Sequence, residues 1–390
     1  MKKSKEIKPE IETFAKIKVV GIGGSGGSAI NRMITDKIRG VEFIAINTDA
    51  QALSSSQART KVQIGVDTTK GLGAGMDPDI GSRAAEENID DIEKSLADAD
   101  MVFITCGLGG GTGTGAAPII ADIAKNQEAL TVAVVTRPFN FEGAQRKAIA
   151  ERGLEELESR VDTIITIPND RILSIIDRKT SLLDSFKTVD DILHQGIQGI
   201  SEIITVPGLV NVDFADVKAI MADAGSALMG IGVAAGEDRA KRAAKEAVDS
   251  PLLDVSIAGA KGILFTVTGG NDLTMFEVNE IAEIITASAD GNAKVIFGTV
   301  IDESMKESIK VMVIATGFEN FDMSKKEINK GSHSTYTPNQ YINKSNQTEE
   351  EEDNAIEISD DEEEDDNLEE DHQEIENELD IPAFLRKKIK

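Results

Sequence analysis

Five short apolar runs, separated by helical patterns, dominate the first 170 residues of this 390-residue chain. The runs occupy residues 16–23, 41–49, 101–106, 130–136 and 162–168. Helical patterns stand between them, for example at 81–96 and 142–160. Strands that are apolar on both faces and alternate with helices are typical of a parallel, doubly wound α/β sheet. Ligands of such sheets bind beyond the carboxyl ends of the strands.

Three glycine-rich segments accompany these runs: "GIGGSGGSA" (21–29), "GLGAGMDP" (71–78) and "GLGGGTGTG" (107–115). Glycines let backbone N–H groups converge on an anion, and the start of a following helix adds its dipole. We expect one such helix after Gly115, with Pro118 in its first turn. Tight turns explain one such segment, but three together predict a cradle for a nucleoside triphosphate.

A second interpretation of the first segment is dinucleotide binding. Gly21, Gly23 and Gly26 match the G-x-G-x-x-G spacing, and Asp49 follows at the end of the next run, where it would bond a ribose hydroxyl. The chain would then be an NAD(P)-dependent oxidoreductase. That reading leaves the other two glycine segments without a role, and no hydride-transfer constellation follows.

The sequence contains neither a P-loop motif nor a cluster of histidines. No glycine segment ends in Gly-Lys-Ser/Thr, so a P-loop is excluded, and phosphate must be held by backbone groups and Mg²⁺. His194, His333 and His372 are scattered along the chain and predict neither a metal site nor a catalytic set.

The stretch "NVDFAD" (211–216) places Asp213 and Asp216 three residues apart, on one face of a helix start. Paired carboxylates can position a water molecule for attack on phosphorus or bind a cation. Helix capping on a solvated face explains most such pairs equally well. Spacing alone leaves both interpretations open.

Beyond the sheet, the pattern predicts a long helix at 185–204 and then a smaller α+β domain. In that domain two helices precede strands at 261–270, 293–300 and 309–317, which predicts a mixed sheet. The predicted organisation is a flexible extension (1–15), a nucleotide-binding domain with the central helix (16–206), the α+β domain (207–318), a disordered acidic linker (319–379) and a tail peptide (380–390).

The net charge of −28 belongs mostly to the linker. Residues 349–380 hold 20 Asp or Glu and no Lys or Arg, which leaves −8 for the rest of the chain. No basic face for nucleic acid is indicated. The N-terminus is no secretory signal, no run approaches about 18 apolar residues, and the single Cys106 allows no intrachain disulfide. These features predict a cytoplasmic protein.

The last eleven residues, "DIPAFLRKKIK", reverse this acidic character. Ile381, Phe384 and Leu385 form an i, i+3, i+4 stripe that precedes Arg386 and further basic residues. Such a peptide is too short to hold a helix alone, but it can fold into a partner's groove. Residues 319–379 would act as a tether with a coil reach of roughly 40–47 Å.

The stretch "GGGTGTG" (109–115) resembles the signature of the tubulin/FtsZ family of GTPases. Further motifs stand in the order seen in that family: the first glycine segment, "NTDAQAL" (47–53), "GLGAG" (71–75), "PFNFEG" (138–143), "IPNDRIL" (167–173), "NVDFAD" (211–216) and the terminal "DIPAFLR" (380–386). The resemblance implies a domain that binds GTP or GDP with Mg²⁺, held mainly by phosphates and water. It also implies subunits stacked head to tail into the protofilaments of the bacterial cytokinetic ring at midcell. A filament for plasmid partition or cell shape is the alternative within this superfamily.

The resemblance also implies roles for individual residues. The loop with Asn211, Asp213 and Asp216 would enter the next subunit's site and orient water toward the γ-phosphate, so hydrolysis would require assembly. The tail residues Ile381, Pro382, Phe384, Leu385 and Arg386 would bind membrane-tethering and regulatory division proteins.

For the nucleotide, the implied contacts are grouped by the part they touch. Gly23, Gly24, Ser25, Gly26 and Gly27 would surround the diphosphate, Gly109, Gly110, Gly111, Thr112 and Gly113 would bind phosphate oxygens, and Gly73, Ala74 and Gly75 would sense the γ-phosphate. Glu142 and Asn169 would contact the ribose, Arg146 the phosphates, and Phe186 and Asp190 the guanine, with Asp191 able to share the role of Asp190. Without the motif, Glu142 and Arg146 are explained as an i, i+4 salt bridge.

The chain departs from the family pattern at two places. Ser28 stands where Asn is usual near the nucleoside, and Met76 and Asp77 replace Ala and Asn beside the γ-phosphate segment. We expect altered nucleotide exchange or turnover rather than lost binding.

Overall fold

The computed structural model describes residues 15–177, 179–206, 212–253 and 256–318. Its first part is built on six parallel strands in the order β3-β2-β1-β4-β5-β6. These strands are β1 (Ile17–Ile22), β2 (Val41–Asn47), β3 (Thr60–Gln63), β4 (Met101–Gly107), β5 (Leu130–Arg137) and β6 (Thr163–Pro168). The doubly wound parallel sheet predicted from the apolar runs is confirmed, and β3 is a short edge strand that the pattern did not reveal.

Helices connect these strands and cover both faces of the sheet. They are α1 (Gly23–Thr35), α2 (Ala50–Ser54), α3 (Val66–Thr69), α4 (Pro78–Glu87), α5 (Ile89–Leu96), α6 (Thr112–Asn126), a 3₁₀ turn (Asn140–Glu142), α7 (Ala144–Glu158), α8 (Asn169–Ile172) and α9 (Leu182–Thr205). The helix expected at 81–96 is therefore two helices, which meet at Asn88.

Two hydrophobic cores explain why the strands are apolar throughout. Side chains alternate between the faces of a strand, so Val19 packs with α1 and α9 whereas Val20 packs with α5, α6 and α7. Both valines are fully buried. Burial on both faces is the condition that favours parallel strands.

The central helix α9 begins three residues earlier than predicted. Ser181 caps it by accepting a hydrogen bond from the N–H of Asp184, so the helix starts at Leu182. Its buried residues belong to the core between α9 and the sheet. Helix α9 thus spans the distance between the first part of the chain and the second.

The second part extends the same sheet with four more strands. Its elements are α10 (Phe214–Met221), β7 (Gly225–Ala235), α11 (Arg239–Val248), β8 (Gly262–Gly269), α12 (Met275–Thr286), β9 (Lys294–Ile301) and β10 (Ser308–Thr316). Strand β10 runs antiparallel to β7 and β8, while β8 and β9 are parallel. The predicted mixed sheet of an α+β domain is confirmed.

Strand β7 lies between the two helices that the sequence predicts and was not itself predicted. Its "GSALMGIGVAA" sequence is poor in the β-branched residues that mark strands. The glycines have a packing reason, because a Cβ on Gly232 would lie 2.6 Å from the backbone nitrogen of Ala247 in α11. This close approach of an alanine-rich helix is a tertiary requirement that local pattern does not reveal.

Strand β7 also joins the two parts of the chain, since Gly225 to Ala227 pair in parallel with Thr163 to Ile165 of β6. In the part of the chain that the structure describes, no helix combines the length and the apolar character needed to cross a bilayer. The domain boundaries at 206 and 318 stay predictions.

Candidate functional site

The three glycine-rich segments meet beyond the carboxyl ends of β1 and β4. A Cβ on Gly26 would overlap the carbonyl oxygen of Thr105, and one on Gly111 would lie 2.7 Å from the carbonyl oxygens of both Ala74 and Gly75. Gly111 also donates its N–H to the carbonyl of Gly75 at 2.9 Å. The segments that are distant in sequence therefore form one backbone-lined surface.

Two helices begin at this surface. Helix α1 starts at Gly23, directly after β1, and α6 starts at Thr112, shortly after β4. The first N–H groups of a helix have no partner within it, and the helix dipole favours an anion there. Two such ends on neighbouring strands suit a ligand with several phosphates.

The expectation that α6 begins after Gly115 is wrong, and Pro118 lies in its second turn rather than its first. The reason is packing against α4. A Cβ on Gly115 would overlap the carbonyl oxygen of Pro78, and one on Gly81 would overlap that of Gly111. Glycines that looked like loop residues are helical positions where α4 and α6 approach closely. Residues 23–28 are likewise the first turns of α1 and not a loop.

Hydroxyl groups hold the segments in register. Ser25 accepts a hydrogen bond from the N–H of Gly107 at 2.7 Å, and Thr114 accepts one from Gly109 at 2.9 Å. The hydroxyls of Thr112 and Thr48 are 2.7 Å apart. An accepting hydroxyl keeps its own proton to donate, so Ser25, which is exposed, retains a donor for a ligand.

Glu142, Arg146 and Asn169 lie around the same region. Glu142 accepts a hydrogen bond from the N–H of Phe139 and pairs with Arg146 at 2.9 Å. The Arg146 side chain runs along Gly109, where a Cβ would lie 2.8 Å from its Cγ. The Nε of Arg146 and the Oδ1 of Asn169 are buried without a hydrogen-bond partner among the described residues. Buried polar atoms without a partner in the protein call for an explanation, and a bound ligand is one that fits atoms beside the glycine segments.

Aromatic rings lie near the start of the central helix. Phe186 is partly exposed and meets Phe139 edge-on at 5.7 Å, and Phe139 stacks on Phe141 at 4.9 Å. Sequence reasoning assigned no role to Phe139 and Phe141, although both belong to the quoted motif "PFNFEG". The exposed Phe186 ring, held edge-on by the buried Phe139, offers a flat surface on which a base can stack.

One turn beyond Phe186, Asp190 lies half-buried on α9. Burial and, to a smaller extent, the negative charge of Asp191 raise the pKa of its carboxyl to about 6, although the positive charge of Arg32 opposes them. A carboxyl group with a shifted pKa, close to other candidate binding residues, is itself a candidate functional group.

Residues at the departures have local structural roles. Asp77 caps α4 by accepting from the N–H of Asp79, and Pro78 follows as the first helical residue. Met76 is 45% exposed. Ser28 is exposed on α1, one turn after Gly24.

Asp49 caps α2 by accepting from the N–H groups of Gln51 and Ala52, and it bridges to Leu72. The carboxylate of Asp49 therefore caps α2, and its backbone pairs with the second glycine segment. This role is separate from the ribose contact that the dinucleotide interpretation required.

The acidic pair belongs to helix α10, which ends at the amino end of the parallel strands. Asp213 caps α10 by accepting from the N–H of Asp216 at 2.9 Å, and both carboxylates are exposed. The last residue of α10, Met221, accepts a hydrogen bond from Thr163, the first residue of β6. Helix α10 therefore ends at the amino end of the parallel strands, opposite the end where the glycine segments lie, and Asp213 precedes the helix about 12 Å away. Asn211 and the tail residues 381–386 lie outside the described residues.

Comparisons with known proteins agree with this architecture. The family model described as "Tubulin/FtsZ family, GTPase domain" matches residues 16–177, and "FtsZ family, C-terminal domain" matches residues 225–319. A solved structure described as an empty FtsZ dimer from M. jannaschii is 48% identical over 78% of this chain and 89% of its own, with a TM-score of 0.76.

A GDP-bound CetZ1 monomer from Haloferax volcanii is 20% identical over 78% of this chain and 95% of its own, with a TM-score of 0.68. At that identity the likeness shows the fold alone. The two family models and the 48% identity to FtsZ carry the assignment. The chain therefore belongs to the FtsZ family and is a GTPase of the tubulin-like fold, in a family that binds GTP and GDP with Mg²⁺.

Proposed function

We propose that copies of this chain stack head to tail and hydrolyse GTP at each junction. The observation that supports the proposal is that the glycine segments and the helix that follows the acidic pair reach opposite ends of the parallel strands. The glycine segments lie beyond the carboxyl ends of β1 and β4, and α10, which Asp213 caps, ends at the amino end of β6. A second copy brings these two ends together. The related M. jannaschii FtsZ was solved as a dimer, which agrees with self-association.

The nucleotide pocket is proposed to use the residues that the resemblance named. The phosphates would be held by backbone groups of Gly23, Gly24, Gly26, Gly27, Gly109, Gly110, Gly111 and Gly113, by the hydroxyls of Ser25 and Thr112, and by Arg146. Gly73, Ala74 and Gly75 would follow the γ-phosphate, because the carbonyls of Ala74 and Gly75 lie against Gly111 and the one of Gly75 accepts its N–H. The Arg146 Nε and the Asn169 Oδ1, which are buried without a hydrogen-bond partner in the part of the chain that the structure describes, support this assignment.

The base would be recognised at the other end of the pocket. Guanine presents two donors, N1–H and the 2-amino group, and a carboxylate accepts both. Asp190 offers such a carboxylate one turn from the exposed Phe186 ring, on which the base would stack. Adenine has no comparable pair of donors, so this arrangement favours GTP over ATP.

Hydrolysis would follow when α10 of the next copy approaches the phosphates. One carboxylate oxygen of Asp213 is used to cap α10, which leaves its other oxygen and the whole Asp216 carboxylate to orient water. Asn211 is proposed as a third contributor. Bound Mg²⁺ would offset phosphate charge during the attack, held mainly by phosphate oxygens and water. A monomer would bind GTP but hydrolyse it slowly.

Exposed apolar side chains support assembly. Leu182 and Leu183 begin the central helix, Phe141 belongs to the aromatic group, and all three are more than 60% exposed. On the second part of the chain, Met275 and Phe276 at the start of α12 are 79% and 89% exposed. Apolar side chains grouped beside a functional site are typical of an interaction surface.

The tail is proposed to connect filaments to other proteins. Ile381, Pro382, Phe384, Leu385 and Arg386 would bind membrane-tethering and regulatory division proteins, and the acidic linker would supply the reach. Many copies along a filament would make weak contacts strong in combination. Filaments would then gather as a ring at midcell.

Two mixed variants test the shared site. Asp216→Ala keeps its own pocket, and Asp190→Ala keeps its acidic pair, so a junction that combines the two intact halves is complete. We expect each variant alone to hydrolyse GTP slowly and the mixture to hydrolyse it several-fold faster than the sum of the two. A mixture with no gain over that sum would contradict a site built from two copies.

A further inference from the structure

Helix α1 carries a cation at the base end of the pocket. The Nε of Arg32 lies 3.0 Å from the carboxylate of Asp36 and 3.1 Å from that of Asp191 on α9. Both contacts are ion pairs by distance: this Nε is shielded from solvent and makes no hydrogen bond among the described residues, while the Arg32 side chain as a whole is 39% exposed. The contact therefore joins the helix that begins at the phosphate segment to the helix that carries the base acceptor.

Arg32 treats the two neighbouring aspartates differently. Among the described residues, the ion pairs of this cluster join Arg32 to Asp36 and Asp191, whereas Asp190 takes part in none of them. Asp191 is thereby compensated and turned toward α1. Asp190 is left as the carboxylate that a ligand can use, which separates two adjacent residues that sequence reasoning left equivalent.

Guanine recognition requires that this carboxylate is ionised. A protonated carboxyl offers one hydroxyl and one carbonyl, so it cannot accept from both N1–H and the 2-amino group. Burial and the neighbouring negative charge of Asp191 favour the protonated form, and a cation that compensates Asp191 favours the ionised form.

We propose that Arg32 is a specificity-determining positioning residue, which holds Asp191 and Asp36 so that Asp190 remains an ionised, unpaired acceptor for guanine. It acts through the aspartates and does not touch the base. The inference rests on the proposed role of Asp190 in base recognition. Helix α1 would then act at both ends of the nucleotide, with its first residues at the phosphates and Arg32 near the base.

Other charged groups around the cluster are accounted for. His194 follows on α9, with Nδ1 3.7 Å from the Asp36 carboxylate and Nε2 bonded to Gln198 at 3.0 Å. Burial lowers the pKa of His194, so it is neutral at pH 7. Lys187, one turn before, is paired with Asp184 at 2.8 Å.

The test measures GDP affinity between pH 5 and 8, where GDP avoids hydrolysis and assembly. For the unmodified chain, affinity is expected to fall about tenfold per pH unit below the titration of Asp190 near pH 6. Arg32→Gln removes the compensating cation and should move this midpoint upward. Asp191→Asn removes the like charge and should move it downward.

These two variants are matched, because each breaks the same Arg32–Asp191 contact. Opposite shifts of the midpoint, with His194→Gln unchanged, support the proposal. Equal weakening by both variants with no movement of the midpoint would overturn it, since Arg32 would then serve only to join two helices. Circular dichroism at each pH verifies that the variants are folded.

Asp190→Asn separates this inference from the proposed function. Asparagine accepts from N1–H and donates to the 2-oxo group of xanthine, so the variant should prefer XDP to GDP at every pH. If Asp190→Asn still prefers GDP, the assignment of the base acceptor fails. If it switches to XDP while Arg32→Gln leaves the midpoint in place, only the role of Arg32 is lost.

Discussion

Gly111 and Gly75 are joined by a backbone hydrogen bond of 2.9 Å, which fastens the start of α6 to the segment proposed to sense the γ-phosphate. The same glycine has carbonyl oxygens of Ala74, Gly75 and Asp77 within 2.9 Å of the position of a Cβ. The proposed phosphate sensor (residues 73–75) therefore packs directly against the segment 109–113, and the space at Gly111 is too small for any side chain.

Gly111→Ala should lower the stability of the fold by about 1–3 kcal/mol, because backbone oxygens cannot move aside for a methyl group. GTP affinity should fall with it. Gly110→Ala is the matched control, since no atom lies within 4 Å of its Cβ position. Thermal unfolding of both variants checks this, and equal melting temperatures would count against the contact.

Asp216→Ala should retain GTP binding and lose most hydrolysis, as expected if its carboxylate orients water. Asp213 needs a subtler substitution because it also caps α10, and loss of that cap costs about 0.5–2 kcal/mol. Asp213→Asn preserves the cap and removes the charge. Turnover and nucleotide binding measured together distinguish the two roles, and a fully active Asp213→Asn variant would leave Asp213 as a cap alone.

Phe276→Ser should abolish GTP-dependent assembly without changing the stability of the monomer, because the ring is 89% exposed and contributes little to the core. Val233→Ser, at another exposed apolar position, serves as the control and should assemble normally. Light scattering after addition of GTP, with GDP and ATP as comparisons, measures the effect. Normal assembly of Phe276→Ser would remove α12 from the proposed interface.

Ser28→Asn and Met76→Ala test the departures from the family pattern. A longer amide at residue 28 should strengthen nucleotide binding roughly two- to tenfold, the worth of one added hydrogen bond. Met76 is half-exposed, so its truncation should spare stability and speed nucleotide release. Affinity and turnover that are unchanged in both variants would show that these positions do not tune the site.

Much of the architecture could be predicted because it follows from local pattern. Val19 and Val20 are consecutive apolar residues that face opposite sides of β1. Such a pair is expected in a strand that is buried on both faces. Strand β7 was not predicted because its glycines are required by the close approach of α11, a helix that follows it in sequence. The predicted start of α6 is wrong for a similar reason, since Gly115 resembles a loop residue until α4 packs against it.

The candidate site divides along the same line. The sequence alone determined which chemical groups are present and where they stand along the chain. These are glycine segments after apolar runs, an acidic pair at helical spacing, and a charged linker with an apolar and basic end. Only the tertiary structure decided that α10 ends at the end of the strands opposite the glycine segments, and that Thr48 meets Thr112. It also decided that Arg32 pairs with Asp191, whereas Asp190 has no ion pair among the described residues. Local propensity depends on neighbours within a few residues, whereas these relationships depend on how the strands are ordered in the sheet and on which helix covers which face.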